Sequence, residues 1–345
     1  MKRCVLMLLA AFLLLQCTAC GGYRNPKLKD DQIPVVLEEP KEEPVRNPLT
    51  GEVLDHPEAV NNRPVAVMLN NIHEAMPQHG VSDADMIFEY LVEYGITRMV
   101  AFYQDVSDVG TIGSVRSARP YFVETVWGMD AIYVHAGGST AAINMIWNLE
   151  MDHLDESDFD VFWRDEERGE TMAFEHTLMT NGPRIWDCVQ EYGWRTQHQE
   201  DFSYPVTYVS DGTPYSDWTA NKVSVVFSGY KTGVFTYNAA SGKYRVSQYD
   251  EPYIDGNTQQ QVEITNLLVL RTDMYQLSTG HMSIDVQGSG SGYYICGGKA
   301  VDIQWHKADM DDPFTYTLAD GTPFSLGIGK TYVCVVDTDA DVSIT

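Results

Sequence analysis

Three arginines stand out in this sequence because almost every other charged residue around them is acidic. Residues 64–163 contain fifteen Asp and Glu side chains but only three Lys or Arg side chains. The three are Arg98, Arg116 and Arg119. Two of them lie in a run of small residues around Ser114, directly before an expected helix. Backbone N–H groups at a helix start and guanidinium groups both favour phosphate or carboxylate. The pattern predicts an anion site, and structural pairing of the arginines with nearby carboxylates is the equally weighted alternative.

A second candidate ligand-contacting segment follows a short apolar run, residues 131–134. His135 follows this run, and Gly137, Gly138 and Ser139 precede an expected helix. Two glycines between a strand and a helix let a ligand approach the backbone, and Ser139 can cap the helix. His135 can serve such a ligand as acid, base or hydrogen-bond donor, whereas a histidine satisfied inside the protein is the commoner case. The sequence contains no GxSxG, HExxH or Walker motif, so no set of catalytic residues can be identified from it.

Carboxylates also raise the question of a metal. Residues 151–160 are rich in Asp and Glu, but they lack the central Gly and terminal Glu of an EF-hand loop. A solvated acidic loop is therefore favoured over a calcium site. No Cys and His spacing is typical of zinc. A divalent cation stays open as a cofactor, with Asp85 as a candidate ligand.

The cysteines fall into two groups of three. Those in the first twenty residues are Cys4, Cys17 and Cys20, and those further along are Cys188, Cys296 and Cys334. An odd number of internal cysteines permits at most one internal disulfide. Cys296 and Cys334 are the plausible pair because both lie in the C-terminal region, and two buried free thiols are the alternative.

The N terminus has the pattern of an export signal. Lys2 and Arg3 precede an uncharged apolar run, residues 5–15, which is shorter than the roughly 20 residues that span a bilayer. The segment 17–21, Cys-Thr-Ala-Cys-Gly, resembles the cleavage box of bacterial lipoproteins. Residues 1–19 are therefore predicted to be a lipoprotein signal peptide and Cys20 the lipidated first residue, with an unlipidated secreted chain as the alternative. The predicted location is extracytoplasmic and lipid-anchored to the cell membrane.

Composition divides the rest of the chain into a tether and two domains. Residues 20–48 are rich in Pro and charge and should form an extended tether. Residues 49–200 alternate apolar runs with helical patterns, which indicates a layered α/β domain. Within it, a β-hairpin is expected over 86–103, with one long helix capped near Ser82 as the alternative. Residues 207–345 contain short β-rich runs separated by turn signals and predict a mainly antiparallel β domain.

The overall charge excludes some partners. The 345-residue chain has 23 Lys and Arg against 49 Asp and Glu, a formal net charge of −26. Binding to nucleic acid needs clustered cations, which this chain lacks. Binding to a membrane surface through a polybasic patch needs such clusters too. The hydrophobic content of 44% provides for a sizeable core. Partners are therefore expected to be the membrane through the lipid, together with a cell-wall glycan or a phosphate-bearing ligand.

Several motifs resemble those of a known family. They are Asn-Pro-Leu-Thr-Gly at 47–51, Arg-Pro-Val-Ala-Val-Met-Leu-Asn at 63–70, Gly-Ile-Thr-Arg at 95–98, Ile-Gly-Ser-Val-Arg-Ser-Ala-Arg-Pro-Tyr at 112–121 and His-Ala-Gly-Gly-Ser at 135–139. Together with segments near 281–292, 305–307 and 329–331, they resemble the YerB-like lipoproteins of Gram-positive bacteria. One departure is at His176, which lies between Glu175 and Thr177 where the family pattern has Pro and Asn. The resemblance implies a surface lipoprotein with an α/β domain and a β domain, and it implies no activity.

A fainter likeness concerns the LytR–CpsA–Psr phosphotransferases. In that analogy Asp85 holds a metal while Arg116 and Arg119 grip a lipid pyrophosphate. The sequence thus supports three hypotheses: a lipoprotein that binds an anionic envelope ligand or a protein partner, a metal-assisted phosphotransferase or hydrolase acting on wall precursors, and a structural or assembly protein of the envelope.

Overall fold

A computed structural model describes residues 43–345, and one compact unit extends from Pro44 to Thr345. The predicted signal peptide, Cys20 and most of the tether lie outside the described residues. Within 43–345, no helix is long and apolar enough to cross a membrane. The compact unit includes the last residues of the predicted tether, because Asn47 is buried and donates a hydrogen bond to Asp85 (2.8 Å).

The first part of the described chain alternates strands and helices. Its strands are β1 (Val65–Asn70), β2 (Met86–Leu91), β3 (Thr97–Tyr103), β4 (Thr111–Gly113), β5 (Ile132–His135), β6 (His153–Asp155), β7 (Trp163–Arg164), β8 (Leu178–Asn181) and β9 (Tyr208–Val209). Its helices are α1 (Pro120–Gly128), α2 (Thr140–Asn148), α3 (Glu166–Gly169) and α4 (Gly182–Glu191). Pro120 opens α1, a position where its missing N–H costs nothing, and Ser139 caps α2 by accepting from Ala142 N (3.3 Å).

The remaining elements of the described chain are strands. They are β10 (Lys222–Val226), β11 (Thr232–Asn238), β12 (Lys243–Gln248), β13 (Glu251–Pro252), β14 (Glu263–Ile264), β15 (Asn266–Thr272), β16 (Met274–Gln276), β17 (Met282–Ile284), β18 (Gly288–Cys296), β19 (Lys299–Lys307), β20 (Thr315–Leu318), β21 (Leu326–Gly327), β22 (Thr331–Asp337) and β23 (Val342–Ile344). Most of their pairings are antiparallel, as the turn signals predict.

A ten-stranded mixed sheet joins both parts of the chain. Its strand order is β20-β19-β18-β15-β22-β2-β3-β1-β5-β6. The hairpin predicted over 86–103 is confirmed as β2 and β3, and β1, β5 and β6 run parallel to one another. The junction between the two parts is the parallel pairing of β2 with β22. The α/β region and the β-rich region therefore share one sheet.

Both faces of this sheet are covered, which explains the uninterrupted apolar run in β1. Every residue of β1 is buried. Val65, Val67 and Leu69 belong to a core that continues into a second sheet of six strands, β10 to β14 with β23. Ala66 and Met68 belong to the core beneath α1 and α2. The sequence of a strand that is buried on both faces is continuously hydrophobic.

A buried ion pair crosses from the first part of the chain to the second. Glu89 on β2 and Lys231 beside β11 are both almost fully buried, with Nζ and Oε1 2.9 Å apart. Glu89 also accepts from Tyr332 on β22 (2.7 Å) and from Asn71 (2.7 Å). These contacts stabilise the association of the two parts, because removing one partner would leave a buried charge without compensation.

The expected disulfide between Cys296 and Cys334 is absent from the described residues, where both thiols are free and buried. Cys334 lies on β22, and Cys296 ends β18, with β15 between the two strands. The two side chains also belong to the cores on opposite faces of the sheet. A disulfide needs Cβ atoms about 3.5–4.5 Å apart, which this arrangement rules out.

Candidate anion site at the carboxyl edge of the sheet

One edge of the large sheet collects most of the predicted ligand-contacting residues. The parallel strands β1, β5 and β6 end there at Asn70, His135 and Asp155, and the antiparallel strand β3 begins there, with Arg98 opposite Asn70. Helix α1 begins at this edge because it leads back to the start of β5 at the opposite edge. Helix α2 begins here because it follows the end of β5. Ligands of open α/β sheets bind outside the carboxyl ends of the strands. The loops that carry Arg116 and Arg119 therefore meet the strand ends at a favourable place.

Arg119 is committed to a structural ion pair. Its Nε and Nη2 atoms donate to the two carboxylate oxygens of Glu93, with Nη2 to Oε2 at 2.8 Å. Its Nη1 atom donates to the carbonyl oxygen of Ala118 (2.7 Å), and the residue is only 7% exposed. Burial raises the pKa of Glu93, but the hydrogen bonds and charge of Arg119, with a further contribution from Arg98, outweigh burial and lower it. Each oxygen of Glu93 therefore already accepts a hydrogen bond from Arg119.

Arg98 has much less compensation than Arg119. It is 5% exposed, and its Nη1 atom donates to the carbonyl oxygen of Ser117 (3.1 Å). Its Nη2 atom is 3.8 Å from Glu93, beyond hydrogen-bonding distance, and its Nε has no partner among residues 43–345. Burial, followed by the charges of Arg119 and Arg116, lowers the pKa of Arg98 to about 9. An additional anion would relieve this surplus of positive charge.

Arg116 is also short of partners. It donates from Nη1 to the carbonyl oxygen of Glu175 (3.0 Å), and its Nη2 is 4.0 Å from the exposed carboxylate of that residue. Its Nε, like that of Arg98, has no partner in the described chain. Burial lowers the pKa of Arg116, and Arg119 and Arg164 lower it further, while Glu175 opposes them. An arginine offers five N–H donors, and most of those on Arg98 and Arg116 are unused by protein acceptors.

His135 is satisfied inside the protein. Its Nδ1 lies 2.9 Å from the carbonyl oxygen of Gly137, so this nitrogen carries the proton, and its Nε2 accepts from His153 Nδ1 (3.0 Å). Burial lowers the pKa of His135 to about 4, since it outweighs the nearby charge of Asp155. His135 is fully buried and both ring nitrogens are occupied, so it supports the loop rather than presenting a free group to solvent.

The glycine loop also has internal partners. Gly137 donates its N–H to Asp155 Oδ1 (2.7 Å) and has a left-handed φ of 61°. Gly138 packs beside Ala118, where a Cβ would come within 3.3 Å of the alanine Cβ. Close packing of the two loops therefore explains the second glycine. Ser114 is likewise fully buried. Its N–H donates to Gln78 Oε1 (2.6 Å), and its carbonyl oxygen accepts from the N–H of Asn70 (2.9 Å).

Asp85 is not brought together with the arginines. It precedes β2, whereas Arg98 pairs with Tyr90 near the other end of that strand. Five residues of extended chain separate the two levels by about 17 Å. Asp85 accepts from Gln104 N (2.7 Å) and from Asn47, and burial raises its pKa to about 6. Within 43–345, no group of three or more His, Cys, Asp or Glu side chains is placed to hold a metal ion.

Sequence reasoning missed two residues at this edge, Asn70 and Glu93. Asn70 ends β1 and bonds His176 through its amide (3.0 Å between Nδ2 and Nδ1). Glu93 lies in the turn between β2 and β3 and pairs with Arg119 across 26 residues. A polar residue at the end of a buried apolar run was a usable signal for Asn70, but no local pattern links Glu93 to Arg119.

Two family matches establish the class of protein to which this fold belongs. Residues 49–195 match the N-terminal domain and residues 223–333 the C-terminal domain of a protein of unknown function, DUF3048. The chain belongs to this family.

A particular relative, YerB of Bacillus subtilis, is similar to the chain both in sequence and in its crystal structure. The chain is 28% identical over 308 residues to Putative lipoprotein YerB of Bacillus subtilis (strain 168), a match covering 86% of this chain and 88% of the relative. It also resembles the crystal structure of YerB protein from Bacillus subtilis, with a TM-score of 0.75, 27% identity, and coverage of 86% of this chain and 99% of the other. The resemblance read from the sequence motifs is confirmed.

Proposed function

We propose that this protein is a lipid-anchored, extracytoplasmic lipoprotein that binds an anionic ligand of the cell envelope at Arg98 and Arg116. The anchor is supported by the cleavage-box pattern that ends at Cys20 and by the name lipoprotein carried by the Bacillus relative. A lipid-anchored domain outside the membrane would meet wall polymers and their phosphate or carboxylate groups.

The observation that carries the binding proposal is the surplus of guanidinium charge at the carboxyl edge. Burial lowers the pKa of Arg98, and the charges of Arg119 and Arg116 lower it further. One buried carboxylate, Glu93, serves Arg119 and leaves the other two undercompensated. In a chain with a net charge of −26, such a local surplus calls for a reason. A bound anion would supply the missing acceptors through charge-assisted hydrogen bonds.

The phosphotransferase alternative is less well supported. It requires a metal-holding carboxylate beside the arginines, and Asp85 lies at the opposite end of β2 with its oxygens engaged by Asn47 and Gln104. The assembly alternative has no specific observation in its favour. Binding without chemistry is therefore the function that the geometry supports best.

Thermal unfolding in sulfate tests the binding proposal. At constant ionic strength set with chloride, sulfate at ten times its Kd should stabilise the wild type by about 1.4 kcal/mol, or about 2 °C in Tm. Arg116→Gln should lose this stabilisation. Arg245→Gln is the matched control, because Arg245 is exposed on the second sheet and pairs only with Glu263 (3.2 Å) among the described residues. Equal sulfate stabilisation of all three proteins would reject the site.

Lipid anchoring has its own test. In a bacterial host that processes lipoproteins, Cys20→Ala should abolish palmitate labelling and release the protein from the membrane fraction. Cys188→Ala is the control, because that thiol lies within the folded unit. Continued labelling of Cys20→Ala would reject the anchor.

A further inference from the structure

We infer that His176 supplies a third hydrogen-bond donor to the anion site, so that the site selects a dianionic oxyanion with three unprotonated oxygens, such as a phosphate monoester. This inference rests on the proposed anion site and adds its specificity. His176 is 6% exposed and follows Glu175, whose carbonyl oxygen accepts from Arg116. It therefore lies directly beside one of the two undercompensated arginines.

The orientation of the Asn70 side chain sets the position of the proton on His176. Asn70 Oδ1 accepts from the backbone N–H of Ile72 (3.3 Å), so Oδ1 and Nδ2 cannot exchange places without losing this bond. The amide nitrogen Nδ2 then faces Nδ1 of His176 at 3.0 Å. An amide nitrogen only donates, so Nδ1 must accept, and the single proton of the neutral ring is on Nε2.

The Nε2–H group is left for a ligand. The bond to Asn70 is the one hydrogen bond that the His176 ring makes among residues 43–345. The charged groups that act on the ring are Arg116 and Arg168, which disfavour its protonation, and Glu175 and Glu74, which favour it. Burial contributes most, and the net effect lowers the pKa of His176. At neutral pH the ring is a neutral donor of fixed direction.

The side chains proposed to contact the anion are all donors. Arg98, Arg116 and His176 can each only donate, and each oxygen of Glu93 already accepts a hydrogen bond from Arg119. The carboxylate of Glu175 is 62% exposed and lies 4.0 Å from Arg116, on the solvent side. A proton on a ligand oxygen that faces one of these N–H donors would repel the donor and weaken its hydrogen bond. A ligand oxygen that has lost its proton is therefore preferred.

Calorimetric titration of the full chain with sulfate and methyl phosphate tests this selection. Sulfate has no titrating proton in the physiological range, so its Kd should change less than about threefold between pH 6 and 8. Methyl phosphate should bind more tightly as pH rises through its second ionisation near pH 6. Dimethyl phosphate, which cannot become a dianion, should bind at least about tenfold more weakly than methyl phosphate at pH 8. Equal affinity for the monoester and the diester would overturn the inference.

Two variants separate donation from packing. His176→Leu removes the donor and should weaken sulfate binding about tenfold or more, the typical effect of a lost hydrogen bond to a charged group. His176→Gln keeps an N–H close to the Nε2 position and should stay within about threefold of the wild type. Equal sulfate affinity of the wild type and His176→Leu would overturn the donor role of His176 and leave the proposed anion site standing. Failure of the wild type to bind either anion would reject the proposed function itself.

Nitrogen-15 NMR of the histidine side chains gives a readout independent of folding yield. The His176 resonances, assigned by their absence from His176→Gln, should show the neutral Nε2–H tautomer at pH 7.5, and sulfate should shift Nε2 more than Nδ1. A neutral Nδ1–H tautomer would overturn the inference.

Discussion

Arg116 and Arg119 are three positions apart in the chain and have different surroundings. Arg119 is held by both oxygens of a buried carboxylate, whereas Arg116 has one carbonyl partner and a distant, exposed carboxylate. The sequence placed both in one motif and left binding and structural pairing equally open. In the structure the two differ: Arg119 forms a buried ion pair, and Arg116 is partly exposed to solvent.

Stability measurements should reproduce this division. Arg119→Ala strands the Glu93 carboxylate in a buried position and should lower the free energy of unfolding by about 3–5 kcal/mol. Arg116→Ala removes one hydrogen bond to a backbone oxygen and should cost about 1 kcal/mol or less. Urea denaturation of both variants without added sulfate or phosphate measures the difference. Similar losses in the two variants would contradict the assignment of Arg119 as the structural partner.

The raised pKa of Asp85 has a consequence for stability. A carboxyl group whose pKa rises from 3.8 to about 6 on folding binds its proton more tightly in the folded state. Its contribution is fully present below pH 3.8 and is lost as pH rises through 6. Because Asp85 is partly exposed, this loss should amount to about 1–2 kcal/mol.

Asp85→Asn should flatten that part of the profile. The variant cannot titrate, so the difference in unfolding free energy between the variant and the wild type should shift in favour of the variant between pH 4.5 and 7.5. Urea denaturation at the two pH values measures it. Asp55→Asn, an exposed aspartate on the same segment as Asn47, is the control. A pH-independent difference for Asp85→Asn would contradict the raised pKa.

At the level of elements, the sequence predicts single helices and strands from local patterns, but it does not predict which distant strands pair. The hairpin β2–β3, helices α1 and α2 and strand β5 follow from apolar runs, a proline and a Ser cap, all of which are local signals. The pairing of β2 with β22 joins residues more than 240 positions apart, and no turn or motif encodes it. The same limit applies to the Glu93–Arg119 pair and to the Asn70–His176 contact, which exist only once the loops have been placed.

The alternation of faces along the strands also decides the state of the cysteines. Two cysteines in one predicted β region suggested a disulfide, but the strand β15 between them and their opposite faces exclude it. A chain beginning at Glu43 should therefore show three reactive thiols after denaturation, and reductant should leave its Tm unchanged within about 1 °C. Thiol titration in urea checks the number. One reactive thiol in place of three would contradict the sheet arrangement.

For the whole molecule, the shared sheet makes the two parts interdependent. The β2–β22 pairing and the buried Glu89–Lys231 pair both cross from the first part of the chain to the second. The connection over residues 197–211 has little regular structure and many exposed residues, so it should be the first site of limited proteolysis within the folded unit. The two fragments should then stay together.

Size-exclusion chromatography of the nicked protein tests this interdependence. The fragments should co-elute under native conditions and separate only in denaturant. Lys231→Met, which removes one partner of the buried pair, should lower the urea concentration at which they separate. Fragments that separate in native buffer would show that the two parts are independent domains.

The central claim is that Arg98 and Arg116 hold an oxyanion at the carboxyl edge of the sheet. A crystal of the protein soaked in selenate, with diffraction recorded at the selenium absorption edge, tests it most directly. The expected result is an anomalous peak about 4 Å from both guanidinium groups and from His176 Nε2, so that selenate oxygens accept from all three, and no such peak in Arg116→Gln. Selenate bound elsewhere on the wild type, with nothing at this edge, would contradict it.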